Sequence, residues 1–268
     1  MSLTVTLREA RKARRLSQLE LSMRVGVSQR HVSFVESGRA QPSRELLVAW
    51  LQVLGAPLSL QNAAMLQAGY APVYGDAALG DPVLKQAQAA VVRLVEAHDP
   101  MPALVIDADW NLLHLNRGGK WLAAVLAPWV AEVPAGTPMN LLDLLVHPEG
   151  FTARVVNLAE VGPAMLAHLR QDAAVQPGLT PKVEAFAAML QGKLGDAAKG
   201  GLPRAGWPVL TTLFATQWGE LAFFSMFTTF GTPLDITLAS LRVEHMFPAD
   251  EATRAVVVGE VGLPDSRP

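Results

Sequence analysis

"LSQLELSMRVGVSQRHVSFVESGR", residues 16–39, holds two short helical patterns on either side of Gly26-Val27-Ser28. Ser17-Gln18-Leu19-Glu20 is a capping box: the Ser side chain takes an orphan N–H and the Glu reaches back to the cap. The helix it opens ends near Val25, where Gly26 can take positive φ. Ser28 caps a second helix, 29–37, which Gly38 stops. On a helical wheel Val32 and Val35 fall together and face the core. Arg30, Ser33, Phe34 and Ser37 lie opposite, with Gln29 and His31 at the flanks. A DNA major groove uses such a set: Gln pairs with adenine, Arg with guanine, and an apolar ring meets a thymine methyl. At Gln18, the amide and the helix N-terminus suit a phosphate. A solvated face of an ordinary bundle also carries such residues. The capped pair, the Gly turn and the local charge together favour DNA.

That charge is uneven along the chain. Residues 1–70 hold nine Lys/Arg against four Glu, a balance of +5, whereas residues 71–268 hold 13 against 20 acids, a balance of −7. A basic module on an acidic body predicts that only the first part meets a polyanion. Around the opening stretch, further helices are predicted at 3–15, 44–54 and 59–68. The last two are punctuated by Pro42-Ser43, Gly55, Pro57 and Gly69. "APVYGDAALGDP", 71–82, reads as a linker, which places a DNA-binding domain at 1–70 and a second domain at 83–268.

The second domain opens with a helix at 83–98, and then the period changes. "PALVID", "NLLHLN", "WPVLTTLF", "ELAFFSMFTTF" and "DITLASLRVEHMF" read as strands, with a helical turn expected at 235–240. A helical block at about 117–192 lies between the second and third, and Pro163 is expected to bend or restart one of its helices. The order implies an α+β domain with a five-stranded antiparallel sheet and helices on one face. The tail 257–268 is expected to fray.

The chain has no cysteine, which excludes disulfides, thiolate zinc sites and a cysteine nucleophile and suits a reducing cytosol. The N-terminus lacks the apolar run and small-residue cleavage site of a signal peptide, and "LAFFSMFTTF" is too short to span a bilayer. A cytoplasmic protein without membrane contact is expected. No His-Glu-x-x-His, Gly-x-Ser-x-Gly, phosphate loop or Gly-x-Gly-x-x-Gly occurs. The histidines are scattered, and His147-Pro148-Glu149 offers only two metal ligands. No catalytic residue, metal or cofactor is assigned. A hydrolase or metal enzyme fused to a DNA-binding module is the least supported reading.

The opening stretch resembles the lambda-repressor-like (Xre-type) helix-turn-helix family, through Ser-Gln-x-Glu-Leu, Gly-Val-Ser and a recognition helix ending Glu-x-Gly, over residues 5 to 55. The resemblance implies that Gln18 grips a phosphate, that Gln29, Arg30, Ser33 and Phe34 face bases, and that Arg39 and Arg44 touch the backbone. Arg11 and Glu36 match a pair that bridges the first and third helices. Phe34 departs from the family, which usually carries a polar or basic residue there. "LQNAAMLQAGYAP", "PALVIDADWNLLHLNR", "HPEG" and "TTFGTPLDITLASLRVEHMFPAD" resemble the MmyB-like regulators, in which an Xre-type domain precedes a PAS-like ligand-binding domain. That resemblance implies a bacterial transcriptional regulator sensing a small, fatty-acid-like molecule.

The residues themselves leave the sensing site open. Strand 221–230 alternates Leu221, Phe223, Ser225 and Phe227 against Ala222, Phe224, Met226 and Thr228, so both faces are largely apolar. One face packs helices; the other is a cavity wall, a dimer interface or the seat of helix 83–98. Trp121, Met165, Phe223 and Met226 suit a pliable apolar pocket or an ordinary core. Asn116 and Arg117 stand where a strand meets a helix: they hold a ligand head group, or Asn116 simply caps that helix. A ligand-free dimerisation or interaction module is the alternative to a sensor, and a homodimer is expected in either case.

Overall fold

In the computed structural model, residues 2–134, 136–199 and 209–262 are described. The chain divides into two compact units. The first comprises residues 1–78 with 232–239, and the second comprises 79–231 with 240–268. The expected division at 71–82 does not anticipate the excursion of 232–239 into the first unit.

The first unit contains α1 (Leu3–Ala13), α2 (Gln18–Val25), α3 (Gln29–Glu36), α4 (Arg44–Val53) and α5 (Leu58–Gln67). Each boundary has a local cause. The Ser17–Glu20 box is formed in both directions, Ser28 and Ser43 accept from the backbone of His31 and Leu46, and Gly26 closes α2 at φ 75. Leu7, Leu21, Val32, Leu47, Trp50 and Leu51 are fully buried together and form the core.

The second unit carries a six-stranded antiparallel sheet of order β3-β2-β1-β6-β5-β4. The strands are β1 (Ala103–Ile106), β2 (Asn111–Leu115), β3 (Met139–Asn140), β4 (Thr212–Thr216), β5 (Gly219–Thr228) and β6 (Arg242–Pro248). The sixth strand is β3, two residues long and paired with Asn111 and Leu112; so short a segment has no periodicity to read. Trp207 and Pro208, expected in the third strand, lie outside the described residues.

The helical block resolves into α7 (Arg117–Leu126), α8 (Leu141–Val146), α9 (Leu158–Val175) and α10 (Thr180–Leu194). α9 runs unbroken through Pro163. Residues 82–84 form a short 3-10 turn before α6 (Lys85–Glu96).

Helices cover both faces of the sheet, not one. Leu104, Ser225, Phe227, Glu244 and Met246 point to a cavity roofed by α7, α8 and α9. Strand alternation sends Val243, His245 and Phe247 the other way. There α6 packs on β1 and β6, and His98 just beyond it contacts the rings of His245 and Phe247. The expected turn exists as α11 (Ile236–Ser240). Residues 257–261, expected to fray, belong to α12 (Glu251–Val261), whose Val257 is fully buried beside Leu221 and Phe223. Residues 263–268 lie outside the described set.

Candidate DNA-reading helix and ligand cavity

On α3, Val32 and Val35 enter the core, leaving Gln29 and Arg30 exposed and His31, Ser33 and Phe34 half-buried. Phe34 has a definite setting. Its ring lies beneath two guanidiniums, Arg30 at 5.1 Å and Arg39 at 5.9 Å from the centroid. Cation–π attraction draws both guanidiniums onto that ring. Arg44 is exposed at the N-terminus of α4.

Beneath this face, Arg11 donates to both carboxylate oxygens of Glu36, at 2.7 and 2.9 Å, joining α1 to α3. Gln18 adds a third hydrogen bond to the same carboxylate, at 2.8 Å. Burial pushes the Glu36 carboxyl upward, but the bonds from Arg11 and Gln18 outweigh it and hold it below the usual range. One amide N–H of Gln18 is therefore engaged inside the unit, and this fixes its side chain at the start of α2.

The cavity of the second unit has a volume of about 430 Å³, within the range of small-molecule sites. Its floor is the sheet. A bulge in the β1–β2 pairing lets Leu115 oppose Leu104 and Leu112 oppose Ile106, so two leucines three residues apart share the cavity side. On β5 and β6, Ser225 stands opposite Met246, and Phe227 opposite Glu244.

The lining is aliphatic and aromatic apart from a polar group at Ser225, Glu244 and His168, with Thr152 and Thr212 elsewhere. Glu244 is half-buried in the cavity floor, and desolvation raises its carboxyl above the ordinary range, against the Ser225 hydroxyl and the charge of Arg242. The Arg242 guanidinium is committed to Asp172 at 2.6 Å and lies 4.9 Å over Trp110. Trp110 also donates its Nε1 to Asp172, at 3.0 Å.

Of the six residues expected at a ligand, the cavity brings in Met165 alone. Asn116 is buried and fully engaged. Its Oδ1 accepts from Ala103 and Gly119, and its Nδ2 donates to the carbonyls of Val95 and Met101, so it caps α7 and ties it to β1. Arg117 donates to the carbonyls of Val261 and Gly262. Trp121 packs on Trp218 at 5.6 Å. Phe223 is on the cavity side of the sheet but sealed in the adjacent core with Phe214 and Val257. Met226, on the opposite side, is 57% exposed.

Ser225, Glu244 and His168 escaped the sequence reading. Ser225 had a signal, as the one polar residue on the face Leu221, Phe223, Ser225, Phe227. Glu244, amid "RVEHMF", reads as a solvated position, because the helix that encloses it lies some 80 residues away in sequence.

Among the described residues no group of three His, Cys, Asp or Glu is placed to hold a metal ion, and no helix is long and apolar enough to cross a membrane. His147 stacks on Trp129 at 4.1 Å, and its Nδ1 accepts from the Glu149 backbone.

Residues 87–257 match the family model of the MmyB-like transcription regulator ligand binding domain, and residues 7–61 match a helix-turn-helix model. No curated protein matches the chain. A solved structure of an RNA-binding light-oxygen-voltage receptor aligns at 15% identity and a TM-score of 0.24, over 91% of this chain and 56% of the other. An overlap that loose carries no argument.

Proposed function

Because the chain belongs to the MmyB-like transcription regulators, a DNA-binding helix-turn-helix joined to a ligand-binding domain, we propose that it reads an operator through α3 and senses a small apolar, fatty-acid-like molecule in the cavity of the second unit. The observation that carries the sensing half is that cavity. It lies between a sheet and three helices within the matched domain, and its lining is almost wholly apolar.

For the DNA half, Gln29, Arg30, His31, Ser33 and Phe34 present the base-reading surface. Gln18, Arg39 and Arg44 hold phosphates. The buried Arg11–Glu36–Gln18 cluster supports this reading because it fixes α2 and α3 relative to α1, as groove insertion needs. The protein works in the cytoplasm as a homodimer on half-sites about 10–10.5 bp apart or a multiple of that. The second domain has a PAS-like architecture, and the chain is not an enzyme. The ligand changes DNA affinity only through a difference in its own affinity for the two arrangements of the regulator.

Native mass spectrometry of the purified protein, followed by denaturation and extraction, tests this reading. An apolar molecule released from a dimer supports it. A ligand-free dimer that takes up no acyl chain on addition favours a pure interaction module instead.

A further inference from the structure

Residues 30–39, "RHVSFVESGR", bring two arginines to one aromatic ring by two different routes. Arg30 precedes Phe34 by four positions, one turn of α3, so the two side chains are neighbours on the same face. Arg39 arrives through the end of the helix. Gly38 takes φ 77 and turns the chain back. The Arg39 N–H then donates to the Phe34 carbonyl at 2.8 Å, and the Gly38 N–H to that of Val35 at 3.1 Å, the two bonds of a Schellman cap. Such a cap sets the residue after the glycine against the one five positions before it, and here that pair is a cation and a ring. Among the described residues neither guanidinium makes a hydrogen bond or a salt bridge. Arg11 and Arg14 differ, since they are engaged with Glu36 and with the carbonyls of Leu54 and Gly55. The N–H groups of Arg30 and Arg39 stay available, and the Phe34 ring is what places them.

We propose that Phe34 serves the base-reading surface as a positioning residue: its ring seats the Arg30 guanidinium for a guanine in the major groove and the Arg39 guanidinium for a phosphate, and it acts through them rather than by meeting a base itself. This rests on reading α3 as the base-reading helix. An arginine loses rotamer freedom when it docks, and two arginines held on a shared ring have lost part of it before DNA arrives. Two cations at one ring also repel each other, so the pair gains when each meets an acceptor. The fork of Arg30 matches O6 and N7 of guanine, and a phosphate oxygen suits Arg39. Because one ring holds both, the base contact keeps a fixed distance from the backbone contact. A polar or basic side chain at position 34 has donors for a base of its own. Phe34 has none, and its contribution lies in what it holds.

The test starts with an operator selected from random-sequence duplex by the full-length protein, on which Arg30→Ala identifies the guanine it no longer prefers. Fluorescence anisotropy then compares the parent, the ringless Phe34→Leu and Phe34→Met, and Phe34→Tyr, which keeps the ring. Each is measured on the operator, on the same duplex with that G·C pair changed to A·T, and on random duplex. Both ringless variants are expected to lower the preference for the guanine about two- to fivefold, the scale of one exposed cation–π contact, and Phe34→Tyr to keep it. In the Arg30→Ala background, loss of the ring should change nothing at that base pair. Affinity for random duplex should fall by a similar factor only while Arg39 is present. A preference intact without the ring, including a uniform loss on every sequence, overturns the positioning role and leaves α3 as the reading helix. So does a loss at that base pair that persists in the Arg30→Ala background. So does a thymine whose replacement by deoxyuridine weakens the parent but neither ringless variant, because Phe34 then meets the methyl directly. Failure of the parent to select any sequence overturns the reading helix and the positioning role together.

Discussion

Two glutamates with shifted carboxyls show what a single residue decides in this protein, and their pH behaviour has opposite signs. Glu36 is held below the usual carboxylate value by Arg11 and Gln18. Its contribution is present above about pH 4.3, the unfolded value, and is lost as pH falls through the lower folded one. Glu36→Ala strands the Arg11 guanidinium, 11% exposed, and should cost the first unit about 3 kcal/mol or more. Glu244 is raised by burial. The second unit is therefore favoured below about pH 4.3 and loses stability as pH rises toward the higher folded value. Glu244→Gln should melt above the parent at pH 8, with the gap closing near pH 4. Thermal melts of both variants across that range check the two signs. If Glu244→Gln is less stable than the parent at pH 8, the carboxyl has a structural partner. On the exposed side of α3, Arg30→Ala should cost about 1–3 kcal/mol on a selected operator and relax one base pair. Arg44→Ala should weaken all sequences alike and flatten the salt slope. Identical behaviour of the two on specific and random DNA would remove Arg30 from the base readers.

Among the elements, what was legible depended on how local the cause was. α2 and α3 could be read to within a residue because Ser17, Glu20, Gly26 and Ser28 act on their own neighbours. β5 was legible as a strand, yet its site was not. Phe223 and Met226 differ by three positions, so alternation alone places them on opposite faces, and no single cavity receives both. The residues that do reach the cavity, Ser225 and Phe227, owe that to helices far along the chain. β3 and the two-sided cover of the sheet have the same non-local origin. Glycine shows the contrast within helices. At Gly119 in α7 a Cβ would stand 2.6 Å from the Ala103 carbonyl oxygen and 3.2 Å from Oδ1 of the capping Asn116, whereas at Gly192 in α10 nothing lies within 4 Å. Gly119→Ala should destabilise by about 1–3 kcal/mol through overpacking. Gly192→Ala should stabilise by about 0.5–1 kcal/mol through helix propensity. Denaturant titration of both gives the comparison. Equal effects would mean that the α7–β1 junction yields at no cost.

At the scale of the whole molecule, the informative feature is where the chain crosses between its units. Residues 232–239 lie between β5 and β6, the strands that carry Ser225, Phe227, Glu244 and Met246, yet they belong to the first unit. There Asp235, 9% exposed, makes a clasp. Its Oδ2 accepts from the Ala77 backbone and its Oδ1 from Thr237 and Leu238 at the start of α11. Thr237 Oγ1 donates back to the Ala77 carbonyl, and Gly75 exchanges backbone hydrogen bonds with Leu234 and Ile236. A Cβ at Gly75 would stand 2.5 Å from Asp235 Oδ2, so the approach needs glycine. The Phe-Gly-Thr-Pro-x-Asp block of the sequence is thus the covalent route from the cavity floor to the segment that follows the DNA-reading helices. Coupling needs an element that both sites bias, and beside the 78–79 crossing this connection is one that the chain itself supplies. Asp235→Ala removes the clasp and leaves every cavity residue in place. It should preserve uptake of an apolar ligand and the affinity of the ligand-free protein for its operator. The change in DNA affinity on ligand addition, typically about 5–150-fold for a coupled pair of sites, should shrink toward none. Fluorescence anisotropy with a selected operator, with and without a bound dodecyl amphiphile, measures it. Coupling of undiminished size in Asp235→Ala would move the route to the 78–79 crossing.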